Sequence, residues 1–198
     1  MRPITLAGFD AKFVDSDDPW QTFEGPDEVL KRKAILHAMG SGPWGRVLEL
    51  AAGNGSNSAA IAPRALRLDA TEATESGTAL VRKAVGCRRG GSRAGRTRVL
   101  RLAVPARLPR QRYDGVVVAE LLYYLTPRAM GHTARDVARA LTPGGVLVLA
   151  HHRIDFPDFA QHAATIQRRF LAATRQRWCV RTVRRTGHWV VLSCLRGR

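Results

Sequence analysis

Acidic residues are missing from two long stretches of this 198-residue chain. None occurs from Ser76 to Tyr113 and none after Asp158, while eleven of the sixteen lie before residue 76. Lysine is nearly missing too, at positions 12, 31, 33 and 83 only, so arginine carries most of the net charge of +16. An acid-free cationic face suits a polyanion, and nucleic acid is a candidate partner on that ground. Yet aromatics are absent from the arginine run "GCRRGGSRAGRTR" (86–98), which therefore lacks a platform for stacking bases. That run reads equally as an unconstrained loop or as the product of a frame error in a GC-rich gene. Cysteine is scarce. Cys87, Cys179 and Cys194 have no metal-ligand spacing and make no even framework, which excludes a disulfide scaffold and a zinc module. Cys179 and Cys194 could face each other across a hairpin, with buried, reduced thiols the default. Long apolar runs are lacking as well. The longest, around Val146 to Ala150, is far too short for a bilayer, so no membrane partner is expected. The N-terminus lacks the apolar core of a signal peptide, and a cytoplasmic protein is expected. No P-loop, Ser/His/Asp order or paired-cysteine site is present, and no metal is expected.

What is present is a globular composition, 45% apolar. The length favours one domain spanning 1–198, with residues 1–43 as an N-terminal cap and helix and 44–198 as the core. Residues 1–24 show no clear period and read as an irregular cap. Pro26, the acids after it and Gly40 delimit a helix. "RVLELA", "ALRLDA", "RVLRLAV", "YDGVVVAE" and "VLVLAHH" read as strands one to five. Short helices fall between them: one from "NSAAIA", one opened by Asp69 and Glu72 as a capping box, and one from Thr126–Pro127 to Leu141. An amphipathic helix is expected over 158–173. "WCVRTV" and "HWVVLSCL" flank "RRTG" as a terminal hairpin. The alternation predicts an α/β fold, a Rossmann-like doubly wound, seven-stranded, mostly parallel sheet closed by a C-terminal antiparallel hairpin.

In such sheets ligands sit beyond the carboxyl ends of the strands, where strand order reverses. "ELAAGNGS" falls there, after strand one. Gly53 and Gly55 accept positive φ and keep side chains out of a ligand's way. Asp69, twenty residues after Glu49, is placed to hold a ribose diol. A pyrophosphate loop would want a third glycine at the helix and would be repelled by Glu49. A cationic ligand would not be, and the sulfonium and ammonium of S-adenosylmethionine fit that acid.

"VLELAAGNGS", "RLDATEA", "YDGVVVAELLYYL" and "LTPGGVLVLAHH", in this order, resemble the motifs of class I S-adenosylmethionine-dependent methyltransferases over about residues 18 to 195. "DPWQTF" and "AELLYYL" look more narrowly like the nodulation protein S branch, whose type member N-methylates an amino sugar of a chitooligosaccharide. The resemblance implies that Glu49, Ala51, Gly53 and Gly55 line the methionine half of the cofactor. It implies that Asp69, with Ala70 beside it, holds the ribose, that Glu120 and Leu121 lie near the transferring methyl, and that Trp20 belongs to a lid. Three positions depart from the pattern. Ala51 stands where the first glycine is usual, which requires its φ to stay negative. Val29 and Leu30, not an aromatic and an acid, precede Lys31, Arg32 and Lys33. "LRLAVPA" offers no polar side chain to the adenine amino group.

Methyl transfer from a sulfonium releases a neutral group, so alignment can supply most of the catalysis. An amine acceptor must first lose a proton, to Glu120, His151 or His152. Of Tyr123 and Tyr124, one is expected in the core and one in the pocket. The expected activity is methylation of N or O on a small molecule, such as an amino sugar or oligosaccharide. An RNA-directed methyltransferase and a decayed, non-catalytic binding protein are the alternatives.

Overall fold

The computed structural model describes residues 2–86 and 96–197, so most of the arginine run, with Cys87, lies outside the described residues. Helices α1 (Leu6–Asp15) and α2 (Pro26–Ala38) precede the sheet. The parallel part is built from β1 (Trp44–Leu50), β2 (Ala65–Glu72), β3 (Thr97–Arg101), β4 (Tyr113–Ala119) and β5 (Leu141–His152). Between them run α3 (Ser56–Ile61), α4 (Glu75–Gly86) and α5 (Pro127–Ala140). Helix α6 (Ile166–Ala173) leads into the hairpin β6 (Trp178–Arg185) and β7 (Trp189–Arg196). Strand order is β3-β2-β1-β4-β5-β7-β6, with β7 antiparallel to both its neighbours. The expected seven-stranded, mostly parallel sheet with a closing hairpin is the observed one.

Side-chain alternation divides the core. Val47, Val117 and Val148 pack under α2, α3 and α4, whereas Leu48, Val116, Val118 and Leu147 pack under α5 and α6. Both faces of β1, β4 and β5 are thus buried, which is why these strands read as nearly continuous apolar runs. Order reverses between β1 and β4, and a crevice opens there at the strands' carboxyl ends.

Four local expectations change. The N-terminal segment contains a helix, α1, with the Thr5 hydroxyl accepting the Gly8 N–H as its cap. Asp69 and Glu72 open no helix. Asp69 sits mid-strand, in register with Leu48 and Arg98, and β2 runs on to Glu72. The amphipathic helix is shortened to α6, because Thr165 adopts φ 63 and breaks helical geometry before it. Cys179 and Cys194 do not face each other. Val180 is the register partner of Cys194, so Cys179 is exposed on one face while Cys194 is buried on the other.

Candidate active site

Strand β1 ends at Leu50, and the chain must turn sharply to start α3. Ala51, Gly53 and Gly55 all take positive φ, at 53, 61 and 87. Ala51 therefore does adopt the left-handed backbone, contrary to the negative φ its side chain favours. The two glycines act differently. A Cβ on Gly53 would meet nothing within 4 Å, because that side of the turn is open. A Cβ on Gly55 would lie 2.8 Å from the Ala84 Cβ and 2.9 Å from the Val81 Cα, so this glycine lets α3 close against α4.

The open side of the turn faces a cavity of about 500 Å³. Ala51 and Gly53 form one wall, Glu72 another, and Leu102, Ala103 and Val104 after β3 a third. Glu120 and Leu121 after β4, together with Tyr123, close the side toward β5. Trp20 covers the cavity from the N-terminal segment, its ring edge-on to Phe13 at 5.3 Å. That segment is tied down by polar bonds. Asp18 accepts from the Thr22 and Phe23 N–H groups and from the Asn54 side-chain amide (2.8 Å), joining the cap to the turn.

The acid beside the turn is Glu72, not Asp69 or Glu49. Glu72 accepts the Gly53 N–H at 3.0 Å and the Thr74 N–H at 3.1 Å. Burial pushes its carboxyl above the ordinary range, and those N–H groups pull the other way. Asp69 is buried outside the cavity, bonded to the Tyr113 hydroxyl at 2.8 Å and to the Arg98 and Arg110 Nε atoms, each at 3.1 Å. Its neighbour Ala70 is fully buried inside the sheet. Glu49 is buried behind the turn, where the Ser58 hydroxyl donates to it. Burial raises its pKa to about 7, so it is no steady negative charge facing a cationic ligand. Gly55 likewise does not line the cavity. Glu72 rather than Asp69 borders the cavity because β2 runs on to Glu72, two residues past Ala70, where its apolar pattern ends; the strand end, not a fixed spacing, decides which acid reaches the turn.

A second polar cluster lies across the cavity. Glu120 follows β4 in left-handed backbone, φ 51, and its N–H donates to the Ala150 carbonyl. Its carboxylate accepts from the Lys31 Nζ at 2.6 Å and from the Tyr123 hydroxyl, and lies 3.7 Å from the His152 Nε2. Lys31, 3% exposed on α2, also bonds Glu28 at 2.7 Å. Burial works against both charges, but each stabilises the other: Lys31 is held above and Glu120 below its ordinary pKa. The basic residues of α2 were legible only as a departure from a pattern, since a lysine on an exposed-looking helix face carries no signal of an ionic partner 89 residues away.

Of the two histidines ending β5, His152 lines the cavity and His151 does not. His151 is fully buried, its Nε2 accepting from the Leu121 and Leu122 N–H groups at 3.4 and 3.2 Å. Burial depresses its pKa to about 4, which keeps it neutral. It holds the 121–122 backbone and does not reach the cavity. Tyr123 stacks on Phe159 with centroids 3.7 Å apart, and both tyrosines border the cavity, so neither belongs to the deep core alone. Among the described residues, no group of three His, Cys, Asp or Glu could hold a metal ion.

This topology recurs in solved structures. The N-methyltransferase NodS from Bradyrhizobium japonicum, crystallised with S-adenosyl-L-homocysteine, superposes with a TM-score of 0.77 at 17% identity, over 98% of each chain. The fold is a methyltransferase fold. It is shared with the CurJ carbon methyltransferase, at a TM-score of 0.73 and 17% identity over 98% of this chain and 62% of that one. An O-methyltransferase family protein from Burkholderia thailandensis aligns at 0.70 and 15%, over 98% and 63%. No family model matches the chain, and no curated protein sequence does. The fold is thus shared at 15–17% identity. Its neighbours methylate nitrogen, carbon or oxygen, so the fold alone leaves the acceptor atom open.

Proposed function

We propose that the chain is an S-adenosylmethionine-dependent methyltransferase acting on a small molecule. The observation that carries this reading is the pairing of an open glycine, Gly53, with a buried carboxylate, Glu72, at the reversal point of the sheet. Ligand atoms can approach the Gly53 backbone, and Glu72 is placed to accept hydrogen bonds from a ribose diol, each worth about 1.5–3 kcal/mol. Leu102, Ala103 and Val104 provide an apolar slot for an adenine ring, and Ala51 with Leu121 flanks the methionine end. When bound, the cofactor supplies an electrophilic methyl on sulfur.

The protein's part is alignment and proton removal. Trp20 and the N-terminal segment cover the cavity and exclude water. Glu120, kept ionised by Lys31, is a weak base, but its carboxylate faces the His152 Nε2. His152 is therefore the residue suited to take a proton from an amine or hydroxyl acceptor, with Glu120 stabilising the imidazolium. The Tyr123 hydroxyl orients Glu120. An amino sugar or oligosaccharide is a candidate acceptor, on the likeness to the nodulation protein, and a cytoplasmic location suits the sparse cysteines.

Calorimetry with S-adenosylmethionine tests the reading. Micromolar binding is expected, weakened tenfold or more by Glu72→Gln and unchanged within threefold by Arg98→Gln, which removes a partner of Asp69. An absence of heat at millimolar cofactor favours the decayed binding protein. Turnover of radiolabelled methyl donor across an acceptor screen then identifies the substrate, and His152→Ala is expected to lower kcat at least a hundredfold with cofactor affinity retained.

A further inference from the structure

A second cavity, about 510 Å³, lies between α6 and the terminal hairpin. Its floor is apolar, from Leu171, Val180, Val190 and Leu192. Its polar lining includes three arginines, Arg153, Arg168 and Arg185, and no carboxylate among the described residues. Two of them, Arg168 and Arg185, are exposed, and no aspartate or glutamate follows Asp158 in the chain to neutralise them. Arg153 is fixed in place by donating to the Thr186 and Gly187 carbonyls, so its charge is held at the groove without an ionic partner among the described residues. Val180 remains 47% exposed on the floor. The groove meets the first cavity at His152, which lines both.

An apolar floor beneath guanidinium groups that have no ionic partner among the described residues is complementary to one kind of molecule. Neutral apolar ligands would leave the arginines unused, and small inorganic ions would leave the floor exposed. We propose that this groove is a second binding site, for an organic anion that lays a hydrocarbon or aromatic body on Val180 and Leu192 and pairs a carboxylate or phosphate head with Arg168 and Arg185. Guanidinium forks bind both heads in bidentate fashion, so the shared chemistry is a planar or tetrahedral oxyanion on an apolar stem. The site stands independently of methyl transfer: it requires neither Glu72 nor the glycine turn.

The test is isothermal titration of the intact chain with octanoate, octyl phosphate and octyl glucoside, below their micelle concentrations. The two anions are expected to bind and the neutral glucoside to bind at least tenfold more weakly; the stronger of the anions identifies the head group. Arg168→Gln with Arg185→Gln should weaken anion binding tenfold or more. Val180→Glu, a change at an exposed position that places a carboxylate on the floor, should abolish it while leaving the thermal midpoint within a few degrees. Equal binding of the glucoside would reduce the groove to nonspecific apolar adsorption and overturn the proposal. So would anion binding indifferent to both variants, or no binding of either anion. Tight, salt-sensitive binding of a twelve-nucleotide RNA that displaces octanoate would overturn it in favour of a nucleic-acid surface.

Discussion

At the residue scale, the decisive contact is an ion pair in the wall of the cavity. Lys31 is buried between Glu28 and Glu120, and the attraction offsets the desolvation of its ammonium. Replacing it by a side chain of similar volume leaves two carboxylates facing each other with no cation between them. Breaking a buried pair in this way costs roughly 3–5 kcal/mol when both groups are fully buried. Glu120 keeps 29% of its side-chain exposure, so solvent screens part of that loss. Lys31→Met is expected to lower stability by about 1–3 kcal/mol, read from urea unfolding at neutral pH. Glu120→Gln in the same background should recover at least half of the loss, because the repulsion goes with the charge. A double variant no more stable than Lys31→Met would show that the ammonium acts by packing alone.

At the scale of the element, the turn after β1 uses two glycines for two purposes. Gly55→Ala forces a methyl against the Val81 backbone and the Ala84 side chain, at a φ that L-residues disfavour. A cost of about 3 kcal/mol is expected from strain and displacement of α4. Gly53→Ala has open space and only the backbone penalty, about 1–2 kcal/mol. Its methyl, however, enters the cavity. Chemical denaturation and cofactor titration together separate the two roles: Gly55→Ala loses mainly stability, Gly53→Ala mainly affinity. The reverse pattern would place the ligand on the α4 side of the turn.

The same scale shows where the sequence was readable. Strands β1, β4 and β5 and helices α2 and α5 were legible because their signals are local: continuous apolar runs, Pro26, and Thr126 accepting the Ala129 N–H. The end of β2 was not. Polar Asp69, Thr71 and Glu72 look like a loop and a helix cap, yet all are buried by neighbours distant in sequence. Asp69 is satisfied by arginines 29 and 41 residues onward and Thr71 by the Glu49 carbonyl. No window of residues around β2 contains those partners.

At the scale of the whole molecule, two buried groups set opposing responses to pH. His151, ordinarily near 6.5, sits near 4 when folded because burial penalises its charge. The unfolded chain takes that proton more readily, so its contribution is complete above pH 6.5 and is lost as pH falls toward 4. Glu49 moves the other way, from 4.5 to about 7. Folding favours its protonated form, so its contribution is complete below pH 4.5 and is lost as pH rises through 7. Between pH 4.5 and 6.5 the slopes oppose, each up to about 1.4 kcal/mol per pH unit. Glu72, also raised, adds to the Glu49 side. The chain is expected to show a shallow stability profile there. Glu49→Gln should convert it to one that rises with pH, and His151→Asn to one that falls. Urea midpoints measured from pH 4 to 7 check this, and profiles parallel to that of the unaltered chain would contradict it.

The sequence by itself determined the strand–helix order, the doubly wound class and the place of the glycine turn, because these follow from periodicity and from glycine at a strand end. It also carried the likeness to methyltransferases that the fold displays. Only the tertiary structure decided which acid faces the cavity, which of two adjacent histidines lines it, and that Lys31 is buried against Glu120. The reason is physical. Whether a charged side chain is a ligand, a prop or an exposed group depends on burial and on partners brought near by folding, and neither is encoded in its immediate neighbours.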